Sequence, residues 1–328
     1  MKPEDFDEDF NFKRKRTSDI LFIFKIIGIM LIVFIIFSFS LSIKKLGGSD
    51  SEIEEKGEKY GKSWFIKYQG KISVPISSGG RYFLENVDIN SFRALDSQDR
   101  STLMVGMDKN HVYCGNIFLP DLNPDKLEII GNGYYTDGTN TYFCSPNPER
   151  NEKLPGIMEF LQSLVYSYSK TRRPQSYIYP YTKIENEKKL QAVKDLYLVA
   201  TDGEKVYYKG KLLENADLKT LKRVDMYTEY LADKENVYYK SKLLPIKNNG
   251  KLKVVSLQQG EDFLYDEING YVFKEDYFFD REKSPYKALG NKGNHMYNMI
   301  FVNNEGIYYY DNQEKKLKRA GDNIFIGN

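Results

Sequence analysis

The chain has 328 residues, with 48 Lys and Arg set against 46 Asp and Glu, for a formal net charge of +2. That balance argues against a strongly basic surface over the whole chain, so nucleic acid is not an expected partner. The length suffices for one large or two ordinary domains, and two cysteines are too few for a small disulfide scaffold.

Residues 1–19 open with an acidic, Phe-dotted stretch and end in the basic cluster Lys13, Arg14, Lys15 and Arg16. They read as a tail without a fold of its own. Ile20 to Ile43 is almost unbroken Ile, Leu, Phe and Val, with Lys25 its only charge. A bilayer core needs about 20 apolar residues in a helix. Each of the 18 Leu, Ile, Phe and Val residues there favours insertion by roughly 0.3–0.6 kcal/mol, against about 3 kcal/mol opposing for a central Lys. Lys25 also lies near one end, where its stem reaches the headgroups. A single transmembrane helix over 20–43 is therefore expected, with the membrane as a partner. The rival, a cleaved secretory signal, normally has an apolar region of about 7–15 residues. Here Ser38-Phe39-Ser40 and Ser40-Leu41-Ser42 are only marginal cleavage sites, and no cysteine follows for lipid attachment. The basic cluster before the span outnumbers Lys44 and Lys45 after it, which places residues 1–19 in the cytoplasm and the bulk of the chain outside. Residues 44–59 read as a charged linker.

From residue 60 to 328 the chain repeats itself. One half-motif is an Asp followed four residues later by an apolar residue and then Tyr: Asp108 to Tyr113, Asp202 to Tyr207 and Asp233 to Tyr238. Weaker copies begin at Asp137, Asp266 and Asn303. Asp backed by Lys, Asn, Gly or Glu supplies turn chemistry, and the flanking runs alternate as strands do, so this half-motif predicts a hairpin. Two copies run on as Tyr-Lys-Gly/Ser-Lys-Leu-Leu, Tyr208 to Leu213 and Tyr239 to Leu244, where Gly210 offers a second bend; Tyr68 to Ile72 keeps only this tail. The other half-motif is Asp or Asn, then large apolar residues four and seven positions on. It begins at Asp88, Asn123, Asn186, Asp217 and Asn248, with a period of about 31 residues, and predicts a capped tight turn feeding a strand. Each unit then holds two or three short strands and must stack on its neighbours to bury an apolar face.

Asp108-Lys109-Asn110-His111-Val112-Tyr113 and Asp233-Lys234-Glu235-Asn236-Val237-Tyr238-Tyr239, each leading towards an Asp/Asn-x-x-x-Leu turn, resemble the bacterial DKNYY repeat family over most of residues 60–320. The resemblance implies a repeat fold in an exported or envelope-attached protein. It implies no activity and carries over no catalytic residue. The signature lapses between Ser145 and Tyr181, where Ile157, Phe160, Leu161, Leu164, Val165 and Tyr168 follow helical spacing and predict a helical insertion near 154–170. The expected fold is mainly β: seven or eight antiparallel β-hairpin units in a solenoid-like stack behind a transmembrane helix. A β-propeller is the alternative, disfavoured because some 31 residues is short for a four-stranded blade.

Chemistry is sparse. The only histidines, His111 and His295, sit in loop-like contexts, and no zinc, nucleophile-elbow or phosphate-loop motif occurs. No catalytic, cofactor-binding or metal-binding residue is expected. Asp137, Asp202 and Asp233 have a calcium reading, but their loops carry Lys or Gly where further oxygen ligands are needed, and turn formation accounts for them. Cys114 and Cys144 lie in adjacent repeats at positions of opposite strand parity, which weighs against a bridge that an oxidising compartment would permit. Of Tyr207, Tyr208, Tyr238, Tyr239, Tyr308, Tyr309 and Tyr310, alternation puts half in the core and leaves half as a contact surface. The expected function is a non-enzymatic binding or scaffold module of the bacterial envelope, with a protein or envelope glycan as partner. An immunity-type protein neutralising a toxin in the same compartment is the alternative.

Overall fold

The computed structural model describes residues 24–37, 50–77, 80–95, 99–169, 173–185, 188–257, 261–290 and 299–323. The tail 1–19, both ends of the expected span, residues 44–49, Asn186 and His295 lie outside these residues. No helix among the described residues is long and apolar enough to cross a membrane. Within the expected span, residues 24–37 are helical.

The remainder is mainly β. Seven four-stranded antiparallel sheets follow one another along the chain, called sheets 1–7 in chain order, and a two-stranded ribbon accompanies them. Sheets 1 and 2 span residues 58–83 and 93–119; sheet 3 takes strands from 128–144 and 181–184; sheets 4 to 7 span 191–213, 222–247, 252–278 and 287–321. In all but sheet 3 the strands pair in sequence order, as a meander; in sheet 3 the order also follows the chain, but the insertion separates its third and fourth strands.

Four strands, not two or three, therefore fit the short repeat, and the length objection to a four-stranded unit fails. Sheet 4 shows how. Its strands are only Gln191–Ala192, Val199–Thr201, Val206–Tyr208 and Lys211–Leu213. Tyr208 pairs with Lys211 across a two-residue turn in which Lys209 and Gly210 have φ of 50° and 76°. Both signs are positive, as in the tight turn whose twist matches that of strands. Gly210 is needed twice over, since an added Cβ would lie 2.8 Å from Cβ of Phe143 and of Thr182.

The chain forms two compact units. One holds sheets 1 and 2 with the insertion. There Phe92 meets Phe65 edge-on at 5.2 Å, and Gly106 leaves room for its ring, 2.6 Å from where a Cβ would stand. The insertion contains helix Gly156–Ser169 and strands Glu149–Arg150 and Tyr177–Ile178. It is sewn in by hydroxyls: Tyr82 donates to the Pro174 carbonyl at 2.7 Å and Tyr179 to the Pro75 carbonyl at 2.7 Å. The Tyr179 ring covers Gly115, at a distance no Cβ would tolerate. The charged segment expected as a linker is folded from residue 50 on. Residues 50–56 are helical, Ile53 is buried, and Asp50 pairs with Arg173 at 2.8 Å. One buried apolar residue and one partly enclosed ion pair outweigh the charge pattern that suggested an extended spacer.

The other unit holds sheets 3 to 7. Its apolar clusters each span neighbouring sheets: one runs from Tyr134 and Phe143 through Val199 and Tyr208 to Leu231, another from Tyr230 and Leu244 to Phe273, a third from Phe263 to Phe301. Both faces of an inner sheet are thus covered, and this overturns the expected half-exposed tyrosines. Tyr207, Tyr208, Tyr238, Tyr308 and Tyr310 are all buried, and Tyr239 and Tyr309 are half-buried. Tyrosine suits this place because its ring packs while its hydroxyl reaches the backbone of the next sheet. Tyr134 of sheet 3 donates within reach of the Leu198 and Tyr207 carbonyls, both 3.1 Å away, and accepts from Gly210 N at 3.0 Å in sheet 4. Tyr230 of sheet 5 lies 3.3 Å from the carbonyls of Phe273 and Glu275 in sheet 6.

Tyr134→Phe is expected to destabilise the protein by about 1–3 kcal/mol, the cost of orphaning buried backbone groups. Urea unfolding followed by circular dichroism measures this; a loss under about 0.3 kcal/mol would mean that the hydroxyl bridges add nothing to stacking.

Candidate functional site

The repeated Asp sits at the hairpin between the second and third strands of its sheet. Asp108 Oδ1 accepts from the backbone N–H of Asn110 and of His111, both at 2.7 Å. Its other oxygen, Oδ2, accepts from Asp88 N and from the Tyr113 hydroxyl, both at 2.8 Å. Asp88 begins the other half-motif, so a single carboxylate closes the hairpin and ties it to the loop that feeds the first strand of the same sheet. Asp137 repeats the arrangement with Thr139 N, Asn140 N and, across the loop, Asn123 N at 2.9 Å. Asp233 repeats it with Glu235 N, Asn236 N and Asp217 N at 2.9 Å. Asp202 receives Glu204 N and Lys205 N. Asp266 receives Ile268 N and Asn269 N, with Asn249 donating from the side chain.

Asp108, Asp233 and Asp266 are buried, and Asp137 and Asp202 are half-buried. For Asp108, Asp137, Asp202, Asp233 and Asp266 burial alone raises the pKa, but the converging N–H groups more than offset it and the net shift is downward. The last copy substitutes Asn303 without loss of logic. Its Oδ1 still accepts from Glu305 N and Gly306 N, while its Nδ2 donates to the Lys283 carbonyl at 2.8 Å, an acceptor standing where other copies have a donor. Protein donors occupy both oxygens of Asp137 and Asp233 and Oδ1 of Asp202. Among the described residues no group of three or more His, Cys, Asp or Glu is placed to hold a metal ion.

The +3 residue of the motif also matters, which sequence pattern alone did not reveal. Asn140 and Asn236 donate to the carbonyls of Asp121 and Asn215, at 2.7 and 3.1 Å. Asp121, Asn215 and Asn86 share a positive φ of 55–60° two residues before the loop-start Asn123, Asp217 and Asp88, a conformation that Asn and Asp tolerate. The recurring Asx at those positions was the available signal.

The model of the DKNYY family matches residues 65–242, more than half of the chain. The chain belongs to the DKNYY family. No curated protein and no solved structure matches it. The family signature thus has a structural meaning in this chain: the D of DKNYY is the carboxylate clasp, the residue three on ties the preceding loop, and the paired tyrosines are core.

His111, on the DKNYY hairpin of sheet 2, is half-buried; its ring lies tilted against Phe118 at 5.2 Å, and Nδ1 lies 3.8 Å from Asp108. Both cysteines are disulfide-bonded and fully buried. Strand parity compares positions within one sheet, whereas Cys114 belongs to sheet 2 and Cys144 to sheet 3, so the parity argument against a bridge does not apply.

Two open clefts stand out among the described residues. The first, about 360 Å³ in sheet 1, is lined by Glu54, Lys59, Ser63, the sole Trp64, Pro75 and Arg81. Arg81 is committed to structure: it donates to Ser73 Oγ at 3.0 Å, to the carbonyls of Trp64 and Ser73, and to Glu54. The second, about 520 Å³, lies where sheets 5 and 6 meet, along the edge strand Lys242–Lys247. Leu243, Pro245 and Ile246 give it an apolar floor, and Lys247 and Arg281 flank it. Arg281 packs over the Tyr271 ring at 5.3 Å, while the only carboxylate in the lining, Asp266, is engaged by its own turn. The lining thus sets two cationic side chains beside an apolar wall.

Asp233→Asn is expected to cost about 1–3 kcal/mol at neutral pH, because the new amide NH₂ must face donors. For a carboxylate with a depressed folded pKa, stability is present above the unfolded pKa and lost as pH falls through the folded one. The wild-type protein should therefore lose stability as the pH drops below the ordinary aspartate range, and Asp233→Asn should show a shallower loss. Chemical denaturation at a series of pH values checks both; parallel curves would contradict the clasp at Asp233.

Proposed function

We propose that this DKNYY protein is a single-pass, membrane-anchored module that holds its β sheets outside the cytoplasmic membrane and works by binding rather than by catalysis. The observation that carries the reading is the helix at 24–37. Its Phe, Ile, Met, Leu and Val side chains are exposed in every direction, with Phe24, Met30 and Ile36 at 67, 67 and 64%. A helix that is apolar all round needs an apolar medium on all sides. Residues 20–23 and 38–43 continue the same composition, and the basic cluster 13–16 supplies the cytoplasmic flank. Two buried, disulfide-bonded cysteines suit an oxidising compartment beyond the membrane.

Binding is favoured over catalysis because the buried ionisable groups of the repeats are spent on turns. The cleft along Lys242–Lys247 is the best-formed place for a partner. An edge strand, an apolar floor and flanking cations suit a protein segment or a glycan of the envelope that carries acidic groups.

A reporter active only outside the cytoplasm, fused after Asn328, should give full activity in intact cells, and the chain should stay in the membrane pellet after alkaline carbonate washing. Activity only of a cytoplasmic reporter at the same position, or release by carbonate, would overturn the anchored, exported reading.

A further inference from the structure

The insertion helix Gly156–Ser169 has a face that the rest of its unit leaves bare. Ile157, Met158 and Leu161 are 72, 46 and 48% exposed and lie on one side at i, i+1 and i+4 spacing. The opposite side, with Phe160, Ser163, Leu164 and Tyr166, is half-buried. Glu159, the helix's only charged side chain, is neutralised by a forked pair of hydrogen bonds from Arg150. Just ahead of the helix Glu152 and Lys153 are both exposed and offset each other. The bare side is therefore apolar and carries no charge of its own, a composition suited to a lipid interface.

Its position supports the same occupant. Arg173, four residues beyond the helix, lies over the Tyr166 ring at 5.4 Å and pairs with Asp50 at 2.8 Å. Both members of that pair are nearly buried, with side chains 12 and 11% exposed, so the foot of the helix is fixed beside residue 50. Six residues lie between Ile43 and Asp50, a reach of at most about 25 Å. The helix itself is about 21 Å long, with the bare residues towards the end away from its foot. The tether thus leaves the bare face within reach of the bilayer surface.

We propose that Ile157, Met158 and Leu161 rest in the outer leaflet of the membrane that anchors the chain, so that the insertion helix is a second, interfacial contact with lipid. This rests on the anchored reading above. It gives the break in the repeat a purpose: the helix fixes how the first unit stands on the membrane.

The test uses the full chain in liposomes of phosphatidylethanolamine and phosphatidylglycerol, with Trp64→Phe to remove the native indole. A single reporter is then introduced as Ile157→Trp or Leu161→Trp, or as Tyr227→Trp for control, since Tyr227 is 90% exposed on a turn of sheet 5. Blue-shifted emission and at least twofold quenching by brominated lipid are expected for the two helix variants, with neither for the control. Helix variants that float with the liposomes yet emit and quench like the control would overturn the lipid contact while leaving the anchor intact, and would point to a protein cover instead. Failure of every variant to float would overturn the anchor and the contact together.

Discussion

A carboxylate buried in a turn and surrounded by N–H donors is the constraint on which the repeat depends. Desolvating an ionised Asp is costly, and an isolated one would protonate instead. In this protein the cost is offset because donors converge on each clasp, two from the hairpin it closes and, at Asp108, Asp137, Asp233 and Asp266, one from the loop before the first strand. The donors gain equally, since turn N–H groups that strands cannot satisfy would otherwise be orphaned. One side chain thereby fixes the hairpin, its register and the approach of the chain into the sheet. That economy explains how four strands of two to six residues form a stable unit.

Such sheets are too short to stand alone, and tyrosine links them. A Phe in its place would pack but leave the backbone of the next sheet without a partner at the contact. The hydroxyls of Tyr134 and Tyr230 reach that backbone, and the ring and its polar tip are both used. This is why a chain so rich in Tyr exposes few of them fully. A clasp closes the central hairpin of sheets 2 to 7, and hydroxyls tie sheet 3 to sheet 4 and sheet 5 to sheet 6.

Much of this was legible in the sequence. The clasp positions, the two-residue turn at Lys209-Gly210 and the helix near 154–170 all follow from local chemistry, because turns and amphipathic helices are specified by a few neighbouring residues. The strand fed by the capped turn was anticipated, and Gln191–Ala192 and Lys222–Arg223 form it. The count of four per unit was not legible, because strands this short show no period of two. Nor was the burial of both tyrosine parities, since alternation assumes one wet face and the stack supplies none to its inner sheets. The docking of residues 50–56 was hidden because a single residue, Ile53, and a partner more than a hundred positions away hold it. The cleft of sheets 5 and 6 was equally hidden, its walls being assembled from an edge strand and turns that are distant in sequence.

The same clasps that stabilise the repeats commit their acids to turns. The central physical claim is therefore the ionisation of the clasp aspartates inside the fold. A pH titration of their carboxyl carbons by NMR, with Asp108, Asp233 and Asp266 assigned through single Asn substitutions, tests it most directly. Midpoints clearly below that of an aspartate in a short peptide are expected for all three. Midpoints at or above the peptide value would contradict the clasp, and the turns would need another explanation.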